Sequence, residues 1–374
     1  MDFGTSKVHG LERLTRTGEL VGTPTFMAPE LLTGDGAIDA RIELARALMA
    51  RGDLARAVAE ASHAAEDATT ADDPARALAA RVMAAEARNR AGAIDAAGLD
   101  ALVAACEGAP APLRARALLV RAWQRLKAGG FAAAEADAVL AGDLARGAGR
   151  MELVLRAIST QSAVRSEAGD NAGSMAASQE ALVMSRRLGD RRREGICLAN
   201  LGEGWVDLGE PRRGHEHFAA ALQIFVDIGD RACEGDCRVN VGRALLALGR
   251  GDEAIVMLER AAEMCASTSR VEYEGIAYML LGEAREQRRE PVAARADFER
   301  ALDRFTRIDF NQRWRAELGL ARTLAALGDA AGSRAAARRA VAQLRQQRES
   351  LARGTDPAAL EASLAEADAL ATAD

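Results

Sequence analysis

Aromatic residues are scarce, making up 3% of the 374 positions. A β-rich fold leans on aromatic and β-branched pairs, so this scarcity, with apolar residues at 49%, points to a core of alanine and leucine between close-packed helices. Proline occurs eight times and falls mostly between the predicted helices. Lysine is nearly missing, with Lys7 and Lys127 alone, so arginine carries the positive charge. The formal net charge is −6 and no basic block stands out, which argues against a nucleic-acid partner. No apolar run reaches the ~18 residues of a membrane span, and no secretory signal opens the chain. The expectation is a cytoplasmic protein with no membrane partner. Five cysteines (Cys106, Cys197, Cys233, Cys237, Cys265) are an odd number, which argues for free thiols. Cys233 and Cys237 share a helix face, but no histidine converges on them, so no metal and no cofactor is expected. His215-Glu216-His217 has its histidines two apart, which on a helix points them to different sides. No nucleophile–base pair, phosphate loop or carboxylate pair emerges, so no catalytic residue is assigned.

What is present is a period of about 40 residues between positions 38 and 349. One ladder of small residues reads Ala45, Ala85, Ala122, Ser162, Gly202, Gly242, Gly282, Ala321. Twelve positions later a second reads Ala57, Ala97, Ala134, Ser174, Gly214, Ala254, Ala294, Ser333. Seven later again the third is alanine throughout: Ala64, Ala104, Ala141, Ala181, Ala221, Ala261, Ala301, Ala340. Paired helices approach closely only where side chains are small, and the same crossing recurs in every unit. The pattern therefore predicts an all-α solenoid of about eight helix pairs, each burying its face on its neighbours. Gly52, Gly92, Gly129, Gly169, Gly209, Gly249 and Gly328 follow the first ladder by seven residues, where a left-handed residue ends a helix. Arg289 takes that place in the seventh unit, and Pro291 can open the next helix.

The 12-then-7 spacing resembles the tetratricopeptide repeat, which places small residues at its eighth, twentieth and twenty-seventh positions. The likeness covers roughly 310 residues and is sharpest in Leu201-Gly202 to Leu208-Gly209 and Val241-Gly242 to Leu248-Gly249. The unit here exceeds the usual ~34 residues, as in the longer repeats of kinesin light chains. The family's large aromatic at its eleventh position survives at Trp205, whereas Arg88, Arg125, Arg165 and Arg285 replace it elsewhere. The resemblance implies an α-α superhelix that binds a protein or peptide segment on its concave face, lined by the first helix of each pair. Asn200 and Asn240 fall at one place on consecutive first helices, where longer-repeat relatives hold a peptide backbone. By the same register Arg46, Glu86, Trp123, Glu203, Arg243, Glu283 and Arg322 would face the groove, with Trp123 as a candidate anchor.

Residues 1–36 fall outside the repeat. Asp2-Phe3-Gly4, the polar stretch with Thr15, Arg16 and Thr17, and Gly22-Thr23-Pro24-Thr25-Phe26-Met27-Ala28-Pro29-Glu30 resemble the activation segment of a bacterial Ser/Thr protein kinase. Ile38-Asp39-Ala40-Arg41 resembles the run that leads into a kinase C-lobe helix. The resemblance implies a magnesium-ligand relic at Asp2, substrate-loop character at Thr23, an Arg partner for Glu30, and phosphorylation candidates at Thr15, Thr17 and Thr25. The nucleotide-binding and catalytic loops that phosphoryl transfer needs are missing, so this chain is expected not to be an enzyme. The expected organisation is a kinase remnant over 1–36, eight repeats over 38–349, and a capping helix over 355–371. The alternative is the C-terminal part of a kinase whose repeats recruit substrates or regulators.

Overall fold

A computed structural model describes residues 35–91, 96–308, 310, 312–350 and 357–372. These residues form an all-α repeat of eight helix pairs followed by a last helix. The pairs are α1 (Asp35–Arg51) with α2 (Leu54–Thr70), α3 (Pro74–Arg90) with α4 (Ala96–Ala105), α5 (Ala111–Lys127) with α6 (Phe131–Gly147), and α7 (Met151–Glu167) with α8 (Asn171–Leu188). They continue with α9 (Arg191–Asp207) and α10 (Pro211–Ile228), α11 (Arg231–Ala247) and α12 (Gly251–Ser267), α13 (Val271–Gln287) and α14 (Pro291–Phe305), and α15 (Arg313–Ala326) and α16 (Ala330–Ser350). The single helix α17 (Pro357–Thr372) ends the array. The chain divides into two compact units, Met1–Ala157 and Ile158–Asp374, with the division inside α7.

Turn chemistry sets the helix lengths. Among the described residues a left-handed residue recurs every twenty positions through the middle of the chain, at Gly129, Gly149, Gly169, Gly189, Gly209, Gly229, Gly249, Ser269 and Arg289. The residue that follows each is the N-cap of the next helix. Asp53, Asp73, Asp170, Asp190 and Asp230 fill that place, and each carboxylate accepts from the backbone N–H three residues on. Arg289 holds φ 59° where its counterparts are glycine, and Pro291 opens α14 behind it as the sequence predicts.

The three ladders are buried wherever their side chains are described, with one exception. Ala104 is exposed. Repeat two has lost register: α4 has ten residues against 15 to 21 in the other second helices, and Leu99, Leu102, Val103 and Cys106 turn inward instead. The sequence already shortens there, since the first ladder steps 37 from Ala85 to Ala122 and 40 from Ser162 to Gly202. Gly92 lies outside the described residues, as does the side chain of Ala97. Helix α1 begins at Asp35, three residues ahead of the expected start, which buries Ala37 beside Ile38. Asp39 pairs with Arg76 at 3.2 Å and Arg41 with Glu60 at 2.8 Å, so the run that resembles a kinase segment serves the first two repeats.

Within the first unit α1 packs on α3 and α3 on α5; within the second, α9 packs on α11, α11 on α13 and α13 on α15. Among the described pairs, successive second helices do not pack this way. First helices therefore line the inner side of each unit. The last helix α17 lays Leu360, Leu364 and Ala367 on Leu318, Ala340, Val341 and Leu344, closing the end of the core. Arg345–Asp368 at 3.0 Å and Arg322–Glu366 at 3.3 Å fasten it.

Candidate interaction surface

In the second unit, the inner side carries a two-by-two patch. Asn200 and Glu203 stand three apart on α9, and Asn240 and Arg243 three apart on α11, so each pair shares a helix face. Asn240 Nδ2 donates to Glu203 Oε1 at 2.8 Å, and Arg243 Nη2 stands 3.9 Å from the same oxygen. Nε and Nη2 of Arg243 are covered and have no hydrogen-bond partner, so its charge is incompletely answered. Burial pushes the Glu203 carboxyl above the usual carboxylate range, against the pull of Arg243 and Asn240. Asn200 is half-buried, with no side-chain hydrogen bond among the described residues. The two asparagines that the sequence treats alike thus differ: Asn240 is held by a neighbouring helix, and the Asn200 amide is not engaged among the described residues.

Most of the other positions that the register expects to face a groove are paired by charge, several of them from helix to helix. Arg315 reaches Glu283 at 3.2 Å, and Arg322 grips Glu286 at 2.8 and 3.0 Å. Arg270 clasps Asp236 through both carboxylate oxygens and lies 5.3 Å over the Tyr273 ring. Burial raises the Asp236 carboxyl to about 6 despite that clasp. In the first unit Glu86, 4% exposed, is held by Arg116 at 3.2 Å and Arg156 at 3.1 Å. Arg46 pairs with Glu43 at 2.5 Å. Trp123, by contrast, is 37% exposed on α5. Asp236, Tyr273, Arg116 and Arg156 were not singled out by the sequence reading. Their signal is a column six or nine positions ahead of the first ladder that mixes charged, aromatic and aliphatic residues.

The arginines that replace the family's aromatic have found polar partners instead. Arg125 pairs with buried Asp137 at 2.9 Å, and Arg285 pairs with buried Asp297 in the same register. Arg88 donates to Ser62 Oγ at 3.2 Å and Arg165 to the Gly173 carbonyl at 3.4 Å. Trp205 lies under the Arg213 guanidinium, 4.7 Å from the ring centre.

Four of the five cysteines are buried and Cys233 is half-buried. Burial pushes the thiols up, Cys197 to about 11 and Cys233 and Cys265 to about 12, so all three are protonated and weakly reactive at neutral pH. Among the described residues no group of three or more His, Cys, Asp and Glu is placed to hold a metal. His217 Nδ1 lies 2.9 Å from the Arg213 carbonyl on its own helix, and Glu216 is exposed. No helix among the described residues is long and apolar enough to cross a membrane. Asp2, Phe3, Gly4, Thr15, Thr17, Thr23, Thr25, Ala28, Pro29 and Glu30 lie outside the described residues.

Comparison with protein families and with curated proteins finds no match. Solved structures do match. A STAND-type signal transduction ATPase with a tetratricopeptide repeat sensor, from Pyrococcus horikoshii, superposes with a TM-score of 0.59 at 14% identity. The match takes in 82% of this chain and 45% of that one, so this chain spans less than half of its length. A Rap protein complexed with Competence and Sporulation Factor matches at 0.61 and 13%, over 88% of this chain and 97% of the other. NprR in complex with its cognate peptide NprX matches at 0.51 and 13%, over 68% and 75%. Likeness at these identities establishes the fold, a tetratricopeptide-like all-α solenoid.

Proposed function

We propose that this chain is a non-catalytic tetratricopeptide-like scaffold that receives a protein or peptide segment against the inner side of its first helices. The observation that carries the reading is the patch of Asn200, Glu203, Asn240 and Arg243. It offers an amide unengaged among the described residues and an incompletely paired guanidinium on neighbouring first helices, which suits the unpaired backbone groups and charged ends of an extended segment. The NprR likeness, solved with its cognate peptide, supports a peptide-sized ligand on this fold. The test is capture of partners by the immobilised chain, followed by the Asn200→Ala variant and the Asn200→Ala/Asn240→Ala double variant. Capture is expected to fall with the single change and little further with the second, because Asn240 is already engaged by Glu203. Undiminished capture by the double variant removes this patch as the site.

A second reading rests on Asp2-Phe3-Gly4 and Met27-Ala28-Pro29-Glu30 at activation-segment spacing. It makes the repeats the recruiting arm of a Ser/Thr kinase, with Thr15, Thr17 and Thr25 as phosphorylation candidates. A fluorescent ATP analogue is expected not to bind the chain as given. An upstream reading frame that encodes a glycine-rich loop would favour this second reading.

A further inference from the structure

The first unit carries a cluster of arginines around one buried carboxylate. Glu86, on α3, is a buried carboxylate whose pKa is held below the usual carboxylate range: burial opposes this, and Arg156 and Arg116 overcome it, with Arg90 adding to them. Two guanidiniums already satisfy both of its oxygens, Arg116 on Oε2 and Arg156 on Oε1. Arg46, on α1, crowds Arg116 as a further like charge. Three guanidiniums thus bear on one buried carboxylate, and a fourth, Arg46, bears on Arg116 while pairing with Glu43. Burial of Arg116, and the like charges of Arg156 and Arg46, work against its protonated form. Arg116 Nε is covered with no hydrogen-bond partner. A carboxylate brought by another molecule would relieve the crowding.

A second feature lies on the same helix. Trp123 follows Arg116 by seven residues, two turns along one face of α5. The backbone distance between them is about 10 Å at the helical rise. It stands 37% exposed, with no hydrogen bond and no cation over its ring. An extended chain advances about 3.3–3.6 Å per residue, so about three residues span the same distance.

We propose that the inner side of the first unit is a docking surface for an acidic protein segment in extended form, with a Glu or Asp seated at the Arg46–Arg116–Arg156 cluster and an apolar residue three positions along on Trp123. This deepens the scaffold reading and rests on it, but it uses residues other than the Asn200 patch. Charge complementarity selects the occupant: Arg46 and Arg156 act on Arg116 as like charges, and Arg116 Nε is covered without a hydrogen-bond partner, so the seat attracts carboxylates and discourages basic segments.

The test uses the full chain and four fluorescent nonapeptides in a two-by-two design, Glu or Gln at one position and Leu or Ser three residues later, read by anisotropy. The Glu/Leu peptide is expected to bind about tenfold more tightly than Gln/Leu in ~0.1 M salt, the worth of one charge-assisted contact. Arg46→Gln, an exposed change that leaves both Glu86 contacts in place, is expected to erase most of that preference. Trp123→Ala is expected to erase the preference for Leu over Ser while keeping that for Glu over Gln. Asn200→Ala is expected to change neither. Equal binding of the Glu and Gln peptides overturns the proposal and leaves the scaffold reading standing. Failure of all four peptides overturns the acidic-segment proposal, whereas the scaffold reading then stands or falls on capture by the Asn200 variants. Tighter binding of a single-stranded oligonucleotide than of any peptide overturns it in favour of a nucleic-acid partner.

Discussion

The two units solve the same packing problem with different pairs of residues. Sixteen positions after the first ladder, on the second helix of each pair, the chain reads Ala61, Ala101, Ala138, Ser178, Phe218, Leu258, Phe298, Ala337. In the first unit alanine on the first helix, as at Ala45 and Ala122, is matched by alanine at Ala61 and Ala138, all fully buried. In repeats five to seven, all within the second unit, glycine is matched by a large residue, whereas repeat eight returns to alanine on alanine at Ala321 and Ala337. A Cβ on Gly202 would sit 2.6 Å from the Phe218 ring, on Gly242 2.5 Å from the Leu258 side chain, and on Gly282 2.7 Å from the Phe298 ring. Phe298 is hemmed in from a second side by Gly319 of the next repeat. Repeat four is intermediate: Ser162 and Ser178 join their hydroxyls at 2.6 Å. What recurs is complementarity at the crossing: each large residue on a second helix faces a glycine on a first helix, and two small residues face each other elsewhere. A close-packed interior has no room for bulk on both sides of such a crossing.

If that is right, the units should respond differently to the same kind of change. The largest effect is expected for Phe298→Ala, which empties a site formed by glycines on two neighbouring first helices and should lose about 3–5 kcal/mol in urea unfolding followed by circular dichroism. Alanine at the equivalent Ala138 already packs well, so a similar loss has no counterpart in the first unit. Gly282→Ala comes next. It drives a methyl into the Phe298 ring and should cost about 1–3 kcal/mol, and pairing it with Phe298→Leu should recover part of the loss. If Gly282→Ala instead stabilises the chain, as a helix propensity gain of up to about 1 kcal/mol would do alone, the volume argument fails.

The smallest effect separates the two buried aspartates. Asp137 accepts from Arg121 at 2.7 and 2.9 Å and from Arg125 at 2.9 Å. At the position matching Arg121 the seventh repeat has Leu281, so Asp297 keeps Arg285 on Oδ2, while Oδ1 has no hydrogen bond and Arg300 stands 3.6 Å away. Burial raises the Asp297 carboxyl above its ordinary value, despite Arg285. The folded state therefore holds this proton more tightly than the unfolded chain does. The resulting stabilisation is complete below the unfolded value of about 3.9 and is lost as pH rises through the folded value. Asp297→Asn should remove this pH dependence, and at pH 7 it should cost less than Asp137→Asn, which takes a carboxylate from two guanidiniums at once. Chemical melts at several pH values check it, and an unaltered slope in the variant would clear Asp297 of that role.

The sequence disclosed most of the fold because small side chains leave a visible column. Ala64, Ala141 and Ala301 are each fully buried, as the third ladder predicts. The compensating column was missed because Ala, Ser, Leu and Phe share no class by eye, and only their partners' sizes make sense of them. Repeat two went wrong at Ala104 since a short helix shifts register without changing the count of alanines. The site was less legible. Register located the rows Asn200/Asn240 and Glu203/Arg243, but it gave no means of telling that Asn240 is consumed by Glu203 while Asn200 is not. Nor did it foresee that Glu86 would sink beneath two arginines, because Arg116 and Arg156 belong to other repeats, thirty and seventy residues on.

The twenty-residue recurrence of left-handed turns has a consequence for how this chain can change length. One helix with its turn is the smallest piece whose removal leaves every cap intact. Excising one such piece would nevertheless set two helices of the same kind side by side at the junction, where neither crossing column has its partner. Growth and shrinkage by duplication or loss are therefore easiest in steps of two helices.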